Sequence, residues 1–220
     1  MTTVEDKQLT ILIPAYNEGP RIGAVLDVVC GFSRDKRVVV IDDGSEDDTA
    51  EQAGKYPAEV VSLDRNLGKG AALQRGIDHV GRSSLWLFLD ADLIGLRQSH
   101  MESLLGPVEE GEAAMSVGVF RGGKPAVDAA QRWVSILNGQ RGLADDFVSA
   151  LPDLSWSRFG VEVFLSRVAA HRGYPVSMPH LEGLSHHTKE AKLGFIPGFR
   201  YRLQMFGECL HALRTWRAHC

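Results

Sequence analysis

The sequence predicts an α/β fold in which a mostly parallel β-sheet is covered by helices on both faces. Over the first 120 residues, apolar runs of strand length alternate with segments whose apolar residues recur at helical spacing. Such alternation is typical of βαβ units, which build parallel sheets. Polar clusters follow four of the apolar runs, and parallel sheets bind ligands at the carboxyl ends of their strands. We therefore expect a ligand site at that edge.

The predicted elements follow these patterns in order. Strands are expected at 9–15, 37–41, 59–63, 85–89 and 113–119, with helices between them at 22–29, 47–55, 70–80 and 101–108. Further helices are expected at 127–137 and 159–171, then a short strand at 174–178 and an amphipathic helix at 199–213. Because no repeat or linker interrupts the chain, residues 1–220 are predicted to form one domain.

The composition narrows the class of protein. With 24 basic and 28 acidic residues, the formal charge is −4, which offers no general attraction to nucleic acid or to an anionic membrane. The three cysteines are far apart and lack CxxC spacing, which favours a reducing compartment. The polar start is not a signal peptide, and no apolar run approaches the roughly 20 residues of a membrane span, so a cytoplasmic protein is predicted.

Two carboxylates, Asp90 and Asp92, follow the apolar run at 85–89. Alternate residues on a strand point the same way, so both can face one site. Unpaired, they would repel each other, and a divalent cation that bridges them to a phosphate removes the repulsion. The alternative is that one aspartate caps the next helix while the other is solvated.

Four motifs resemble those of the family 2 glycosyltransferases, in the same order and at the same spacing. They are Ile11–Glu18, Val39–Ser45, Asn66–Gly70 and Asp90–Asp92. The resemblance implies a GT-A-type, Rossmann-like fold and a nucleotide-diphospho-sugar donor such as a UDP- or GDP-sugar. Residues 138–141, 159–163 and 184–187 are similar, more loosely, to the glucosyl-3-phosphoglycerate synthases. Residues 9–120 would then bind the donor, and 121–220 the acceptor.

The residues expected to bind the donor lie in the first three motifs and at the start of the fourth. They are Pro14, Ala15, Tyr16, Glu18, Asp42, Asp43, Lys69, Asp90 and Ala91. Pro14 ends strand pairing, Tyr16 can stack on a base, and Glu18 can accept a hydrogen bond from a ribose hydroxyl. The alternatives are an aromatic residue at the rim of the core for Tyr16 and a helix N-terminal acid for Glu18.

Two further choices in these motifs stay open. One of Asp42 and Asp43 is expected to cap an Asx-type turn, while the other is free to read a base N–H, as the resemblance implies. Between flanking glycines, Lys69 is expected to reach phosphate or ribose, the alternative being a solvated lysine at a plain helix start.

The resemblance also implies a metal site and a catalytic acid. His187 would complete a Mg²⁺ or Mn²⁺ site with Asp92 and Asp90, and Asp92 would act in catalysis through that cation. Glu162, an isolated carboxylate among apolar residues, would activate the acceptor in an inverting enzyme or hold the donor sugar in a retaining one. The stereochemistry is left open. The pair at 145–146 is the competing base, although it is expected to cap a helix.

Basic residues in the second half of the sequence indicate an acceptor that carries a phosphate group. Those expected to face it are Arg121, Lys124, Arg132 and Arg141. They suit a phosphorylated small molecule or a polyprenyl phosphate, the alternative being a solvated loop. The C-terminal helix carries four further arginines, Arg200, Arg202, Arg214 and Arg217. It is expected to pack on the domain or to form a homodimer contact, with peripheral membrane binding as the alternative.

The sequence thus predicts a metal-dependent glycosyltransferase that moves a hexose to a hydroxyl or phosphate acceptor. A non-catalytic nucleotide-sugar-binding protein is the first alternative. A sugar-phosphate nucleotidyltransferase is the second and weaker one, because that class has a glycine-rich phosphate loop where Tyr16–Glu18 stand here.

Overall fold

The structure of the protein is a computed structural model that describes residues 8–120, 138–186 and 207–220. Its first half alternates as predicted. The strands are β1 (Leu9–Ala15), β2 (Lys36–Asp42), β3 (Glu59–Ser62), β4 (Leu85–Phe88) and β5 (Leu93–Ile94). The helices are α1 (Gly19–Cys30), α2 (Thr49–Ala53), α3 (Lys69–Val80) and α4 (Gln98–Glu109).

The second half contributes shorter strands and two more helices before the C-terminal segment. The strands are β6 (Met115–Val117), β7 (Val119–Phe120), β8 (Arg141–Ala144), β9 (Val176–Ser177), β10 (His180–Leu181) and β11 (Ser185–His186). The helices are α5 (Asp145–Ser149) and α6 (Val161–Arg172), with a 3₁₀ helix at Ser155–Gly160. Residues 207–215 form α7, and a 3₁₀ turn at Trp216–His219 follows it.

One seven-stranded sheet organises the fold, in the order β3-β2-β1-β4-β8-β6-β9. Strands β3, β2, β1 and β4 are mutually parallel, whereas β8 runs antiparallel to both β4 and β6. Because of this reversal, the start of β8 lies at the edge where β1, β2 and β4 end: Arg141 pairs with Phe88. The mostly parallel sheet is confirmed, and residues from both halves meet at its carboxyl edge.

Helices cover both faces, as predicted, because successive strand residues point to opposite sides. Leu9, Ile11 and Ile13 of β1 pack with the apolar stripes of α1 and α4 on one face. Leu12, together with Ile41 of β2, packs with α3 and α6 on the other face. Among the described residues, no helix combines the length and the apolar character needed to cross a bilayer.

Two expectations for the second half need correction. The single strand expected at 113–119 is broken at Gly118, since β6 belongs to the main sheet while β7 pairs with β10. Strand β8 was not expected, because Arg141–Ala144 lacks a strand-like apolar run. The helix expected at 127–137 and residues 199–206 of the last helix lie outside the described residues.

The described part of the C-terminal segment packs on the domain. Cys209, Ala212 and Trp216 are buried, and Trp216 joins the core that α6 forms with the sheet. This agrees with the packing expected of the C-terminal helix. Arg200 and Arg202 lie outside the described residues, while Leu210 is exposed. Dimerisation and membrane contact stay predictions.

Candidate active site

The loops that follow β1 and β2 are joined by hydrogen bonds at the carboxyl edge of the sheet. The Asn17 backbone N–H donates to Ser45 Oγ (3.0 Å), and the Glu46 N–H donates to Asn17 Oδ1 (2.9 Å). Asn17 has a φ of 55°, a left-handed conformation that asparagine tolerates better than most residues. The two loops therefore form one rim of the candidate site.

Asp42 caps the expected Asx-type turn, whereas Asp43 is not the free carboxylate that was expected. Asp42 Oδ1 accepts the Ser45 N–H (3.0 Å), which makes Asp42 the residue of the Asx-type turn. Asp43 accepts the backbone N–H groups of Leu67 and Gly68 (both 2.8 Å) and the side-chain amide of Asn66 (2.9 Å). The expectation of one free aspartate was wrong, because Asp43 holds the loop before α3.

Burial raises the pKa of the Asp43 carboxyl, although the N–H donors of Leu67 and Gly68 oppose that rise. Asp43 is thus a buried acceptor whose charge is stabilised mainly by the loop that it orders. Reading of a base by either aspartate stays a prediction.

The remaining donor candidates of the first motif line the same edge. Ala15 is buried and its carbonyl accepts the Asp43 N–H (2.8 Å), while Pro14 and Tyr16 are half-buried. The Glu18 carboxylate is also buried and binds Arg21 (3.1 Å) at the start of α1. This contact agrees with the alternative of a helix N-terminal acid, and ribose binding by Glu18 stays a prediction.

Lys69 connects the two halves of the molecule. As the first residue of α3, it places its Nζ 2.5 Å from Asp90 Oδ1 and 2.5 Å from Glu162 Oε1. Burial alone would lower the pKa of Lys69, but the two carboxylates outweigh that effect and hold the pKa above its ordinary value. The alternative of a solvated lysine is wrong: this side chain is a half-buried cation bound between two acids.

A turn, not the alternation of a strand, positions the two aspartates of the fourth motif. Strand β4 ends at Phe88, and Ala91 and Asp92 form a turn before β5. The Asp90 carboxylate contacts Lys69 and accepts the Gln140 side-chain amide at Oδ2 (2.7 Å). Asp92 and Ala91 are buried beside it. Neither the predicted helix cap nor the predicted solvated aspartate describes Asp90, since Lys69 and Gln140 engage it.

The metal site is covered only in part by the described residues. Within 8–120, 138–186 and 207–220, no three His, Cys, Asp or Glu side chains form a metal-binding group. His187 lies outside these ranges, but the described chain reaches His186, whose backbone pairs with Leu93, the residue after Asp92. The donor set of paired carboxylates fits a hard divalent cation in its chemistry.

Glu162 is the second residue of α6 and is buried, as expected of a carboxylate with a partner. Its backbone carbonyl accepts hydrogen bonds from the Arg141 guanidinium (2.9 Å) and from Ser166 Oγ (2.9 Å). Arg141 also donates to the Asn138 carbonyl (3.0 Å). These bonds fix the helix turn that presents Glu162 to Lys69.

Arg141 was expected to face the acceptor, and that expectation was wrong. Only 1% of its surface is exposed, and its guanidinium supports the turn at Glu162. Burial lowers the pKa of Arg141 to about 10, so it remains protonated at neutral pH. The other three basic candidates, Arg121, Lys124 and Arg132, lie outside the described residues.

The competing base pair lies at the wrong end of the sheet. Asp145 and Asp146 open α5 after Ala144, which pairs with Leu85 at the start of β4. Asp145 accepts the Trp86 indole N–H (3.2 Å), and the N-cap of α5 is Ala144, so the expected capping role was wrong as well. A base so placed is a whole strand length from Asp90.

Two residues of the site were missed by the reading of the sequence. Gln140 is fully buried against Asp90, and within the described part of the chain its Oε1 has no hydrogen-bond partner. A Cβ at Gly139 would lie 2.4 Å from Lys69 Nζ and 2.5 Å from Asp90 Oδ1. Glycine there leaves room for the Lys69 ammonium and the Asp90 carboxylate to meet, and a Cβ would displace one of the two side chains. The only signal was the looser motif at 138–141, which identified the segment without assigning it a task.

Comparisons with known proteins bear on this site. A family model described as glycosyl transferase family 2 matches residues 10–149. Two curated relatives are the 4,4'-diaponeurosporenoate glycosyltransferases of Staphylococcus aureus strains bovine RF122 / ET3-1 and USA300, each 36% identical over 115 residues. The match covers 50% of this chain, which spans about 30% of the length of these relatives.

Solved structures with a similar fold include glucosyl-3-phosphoglycerate synthase from Mycobacterium tuberculosis. Its complex with Mn²⁺, uridine diphosphate and glucosyl-3-phosphoglycerate matches with a TM-score of 0.70 and 24% identity, over 92% of this chain and 80% of that one. Its complex with phosphoglyceric acid has a TM-score of 0.71 at 24% identity, with the same coverage. At this identity the likeness demonstrates the fold alone, and the predicted GT-A-type fold is confirmed.

Proposed function

The chain belongs to glycosyl transferase family 2, and from that premise we propose that it is a metal-dependent glycosyltransferase. It would move a hexose from a UDP- or GDP-sugar to a hydroxyl or phosphate acceptor. One observation carries the proposal: Lys69 joins Asp90 and Glu162 at the carboxyl edge of the parallel strands. That edge is where open α/β sheets bind their ligands.

The donor would lie across the loops that follow β1, β2 and β3. Tyr16 offers a half-buried aromatic ring, and Asp43 orders the backbone of Leu67 and Gly68 at the N-terminus of α3. Helix N-termini favour negative charge, and Lys69 adds a half-buried cation in the first turn. These features support a diphosphate position near Lys69.

The paired aspartates would hold the cation together with His187. Their oxygen donors suit Mg²⁺ and Mn²⁺, and the described chain leads to residue 187 from a position paired with Leu93. A divalent cation bound there supplies positive charge for the leaving diphosphate. Because Asp92 directly precedes Leu93, whose backbone pairs with that of His186, we assign Asp92 as the principal protein ligand among the two.

Glu162 would act on the sugar side of the diphosphate. Lys69 Nζ binds its carboxylate, and Arg141 and Ser166 fix its backbone, so its position is set before a donor arrives. A carboxylate held in this way can accept the proton of an acceptor hydroxyl in an inverting reaction. In a retaining reaction it would instead orient the donor sugar.

The acceptor would be a phosphorylated small molecule or a polyprenyl phosphate. The fold resembles a synthase whose solved complexes contain phosphoglyceric acid, and the unassigned basic residues at 121–137 suit a phosphate. We also propose a single domain, because one sheet includes strands from both the donor part and the acceptor part.

Thermal unfolding against a nucleotide panel tests the donor site. The protein is heated with UDP, GDP, ADP or dTDP and their common sugars, each with Mn²⁺ or with EDTA. A ligand at 100 times its dissociation constant adds about 2.7 kcal/mol to the free energy of unfolding. We expect a shift for one nucleotide family that is lost with EDTA.

Two variants make the assay specific. Asp92→Asn removes the charge of the principal ligand and should abolish the Mn²⁺-dependent part of the shift. Glu110→Gln, an exposed acid at the end of α4, should leave it unchanged. No shift with any nucleotide in the wild-type protein would contradict the proposed donor site.

A further inference from the structure

Arg158 has a backbone conformation that is costly for any residue with a Cβ. Its φ is 45° and its ψ is −120°, inside the 3₁₀ helix that precedes α6. Among the described residues, only Asn17 shares a positive φ without being glycine, and asparagine tolerates that region. Such strain persists only where the surrounding contacts impose it, and it is concentrated at functional sites.

The contacts of Arg158 reach the donor loop. Its guanidinium donates to the Leu67 carbonyl (3.3 Å), across 91 residues of sequence. A Cβ at Gly68 would lie 3.1 Å from the Arg158 Cα, so the two backbones are in close approach. The N–H groups of Leu67 and Gly68 are the ones that bind Asp43. Arg158 and Asp43 therefore bind the same loop: Arg158 binds the carbonyl of Leu67, and Asp43 binds the N–H groups of Leu67 and Gly68.

The same side chain reaches α7 in the other direction. Its Nε donates to Glu208 Oε1 (3.2 Å), while Glu208 Oε2 accepts the Phe159 backbone N–H (3.2 Å). Gly160 makes room for α7, because a Cβ there would lie 2.5 Å from the Ala212 Cβ. The C-terminal helix is thus docked on residues 158–160, two residues before Glu162.

We propose that Arg158 is a positioning residue that couples the C-terminal helix to the donor loop of the active site. Glu208 fixes the position of the Arg158 guanidinium, and the guanidinium fixes the position of the Leu67 carbonyl. As a result, the N–H groups of Leu67 and Gly68 stay in hydrogen-bonding position for Asp43. The strained backbone is what lets one arginine reach both α7 and the loop. The consequence for catalysis rests on the proposed function, whereas the coupling itself does not.

Amide hydrogen exchange tests the coupling without a ligand. In Arg158→Gly, which accepts the backbone conformation and lacks the guanidinium, exchange at Leu67 and Gly68 should quicken about tenfold. Glu208→Gln keeps the shape of the carboxyl group and should quicken exchange at the same two amides by a smaller factor. Arg82→Ala, at an exposed arginine outside this network, serves as the matched control and should leave them unchanged.

Nucleotide affinity gives the second readout. With Mn²⁺, Arg158→Gly should weaken the Kd for the nucleoside diphosphate that binds the wild-type protein by about tenfold, with little change in Tm because backbone strain is relieved. A lowered Tm with unchanged exchange at Leu67 and Gly68 would make Arg158 merely structural and overturn the proposal. Faster exchange in a protein that binds no nucleotide would overturn the donor function and leave the coupling standing.

Discussion

The two halves of this molecule hold their functional groups in different ways. In the first half, loops at the ends of β1, β2 and β3 bind one another through backbone N–H groups, as Asp43 does with Leu67. In the second half, side chains reach across the sheet, as Glu162 does to Lys69 over 93 residues. The loops after β1, β2 and β3 thus form a preorganised donor site in the first half, whereas the second half completes that site with a few charged side chains such as Glu162. Variants that separate these two contributions test the difference.

The largest effect is expected at Glu162. Glu162→Gln keeps the shape of the side chain but removes the charge that can accept a proton or hold the sugar. Turnover should fall by about 10²–10⁴-fold, while the Kd for the nucleoside diphosphate should change little because the loops of the first half are intact. Single-turnover kinetics together with a binding titration separate the two quantities. Unchanged turnover would remove Glu162 from the mechanism.

Lys69→Met should weaken donor binding and also lower the stability of the fold, and the loss of stability is the quantity that tests the charge cluster. It leaves the buried Glu162 carboxylate and the half-buried Asp90 carboxylate without their shared cation. Removing one partner of a fully buried ion pair costs about 3–5 kcal/mol, and the partial exposure of Asp90 and Lys69 should bring the loss to the lower end of that range or below it. Urea unfolding at pH 7 measures the loss. In a Glu162→Gln background the deficit should shrink, because only one of the two carboxylates is then left without its cation. A deficit of the same size in both backgrounds would argue against this charge cluster as the cause.

Two glycine-to-alanine substitutions compare Gly139, which lies where the two halves meet beside Lys69 and Asp90, with Gly106, which lies away from the site in α4. Gly139→Ala would place a Cβ against Lys69 and Asp90, so we expect it to destabilise the fold by about 1–3 kcal/mol and to weaken donor binding. Gly106 lies within α4, and no atom of the described residues would come within 4 Å of an added Cβ, so Gly106→Ala should stabilise the protein by about 0.5–1 kcal/mol. Equal Tm values for the two variants would show that Lys69 and Asp90 can move away from a Cβ at residue 139 at no cost in stability.

The smallest effect on stability is expected at Glu59, which lies in β3, the strand at one edge of the main sheet. Arg37 and His79 lower the pKa of Glu59 from 4.5 to about 2. Its contribution to stability is therefore present above pH 4.5 and is lost as the pH falls toward 2. Because the pair is exposed, Glu59→Gln should cost under about 1 kcal/mol at pH 7 and leave donor binding unchanged. A larger cost that persists at pH 2 would exclude the ion pair as its source.

The same division explains what the sequence could predict. The strands and helices of the first half followed from periodicity, and the Asp43 and Lys69 positions followed from motifs at strand ends. The roles of Gln140, Arg141 and Arg158 could not be predicted in this way, because each depends on a contact with a residue far away in the sequence. Those contacts join Gln140 to Asp90, Arg141 to Glu162, and Arg158 to Leu67. Local patterns do not encode which distant loop an arginine reaches.

Strand β8 shows the same limit for the fold. Its four residues carry an arginine and a glycine, so nothing local indicates a strand buried between two others. Antiparallel insertion between β4 and β6 is a property of the whole sheet. That insertion brings residues 139–141 to the carboxyl edge, where they support Asp90 and Glu162.

The most direct measurement is release of nucleoside diphosphate from a nucleotide sugar. UDP- and GDP-sugars are incubated with Mn²⁺, with and without phosphoglyceric acid, using wild-type protein and Asp92→Asn. We predict time-dependent release from one donor by the wild-type protein, and its loss in an Asp92→Asn variant that unfolds at the wild-type Tm. Equal release by both proteins, or none from any donor, would contradict a glycosyltransferase site at this edge of the sheet.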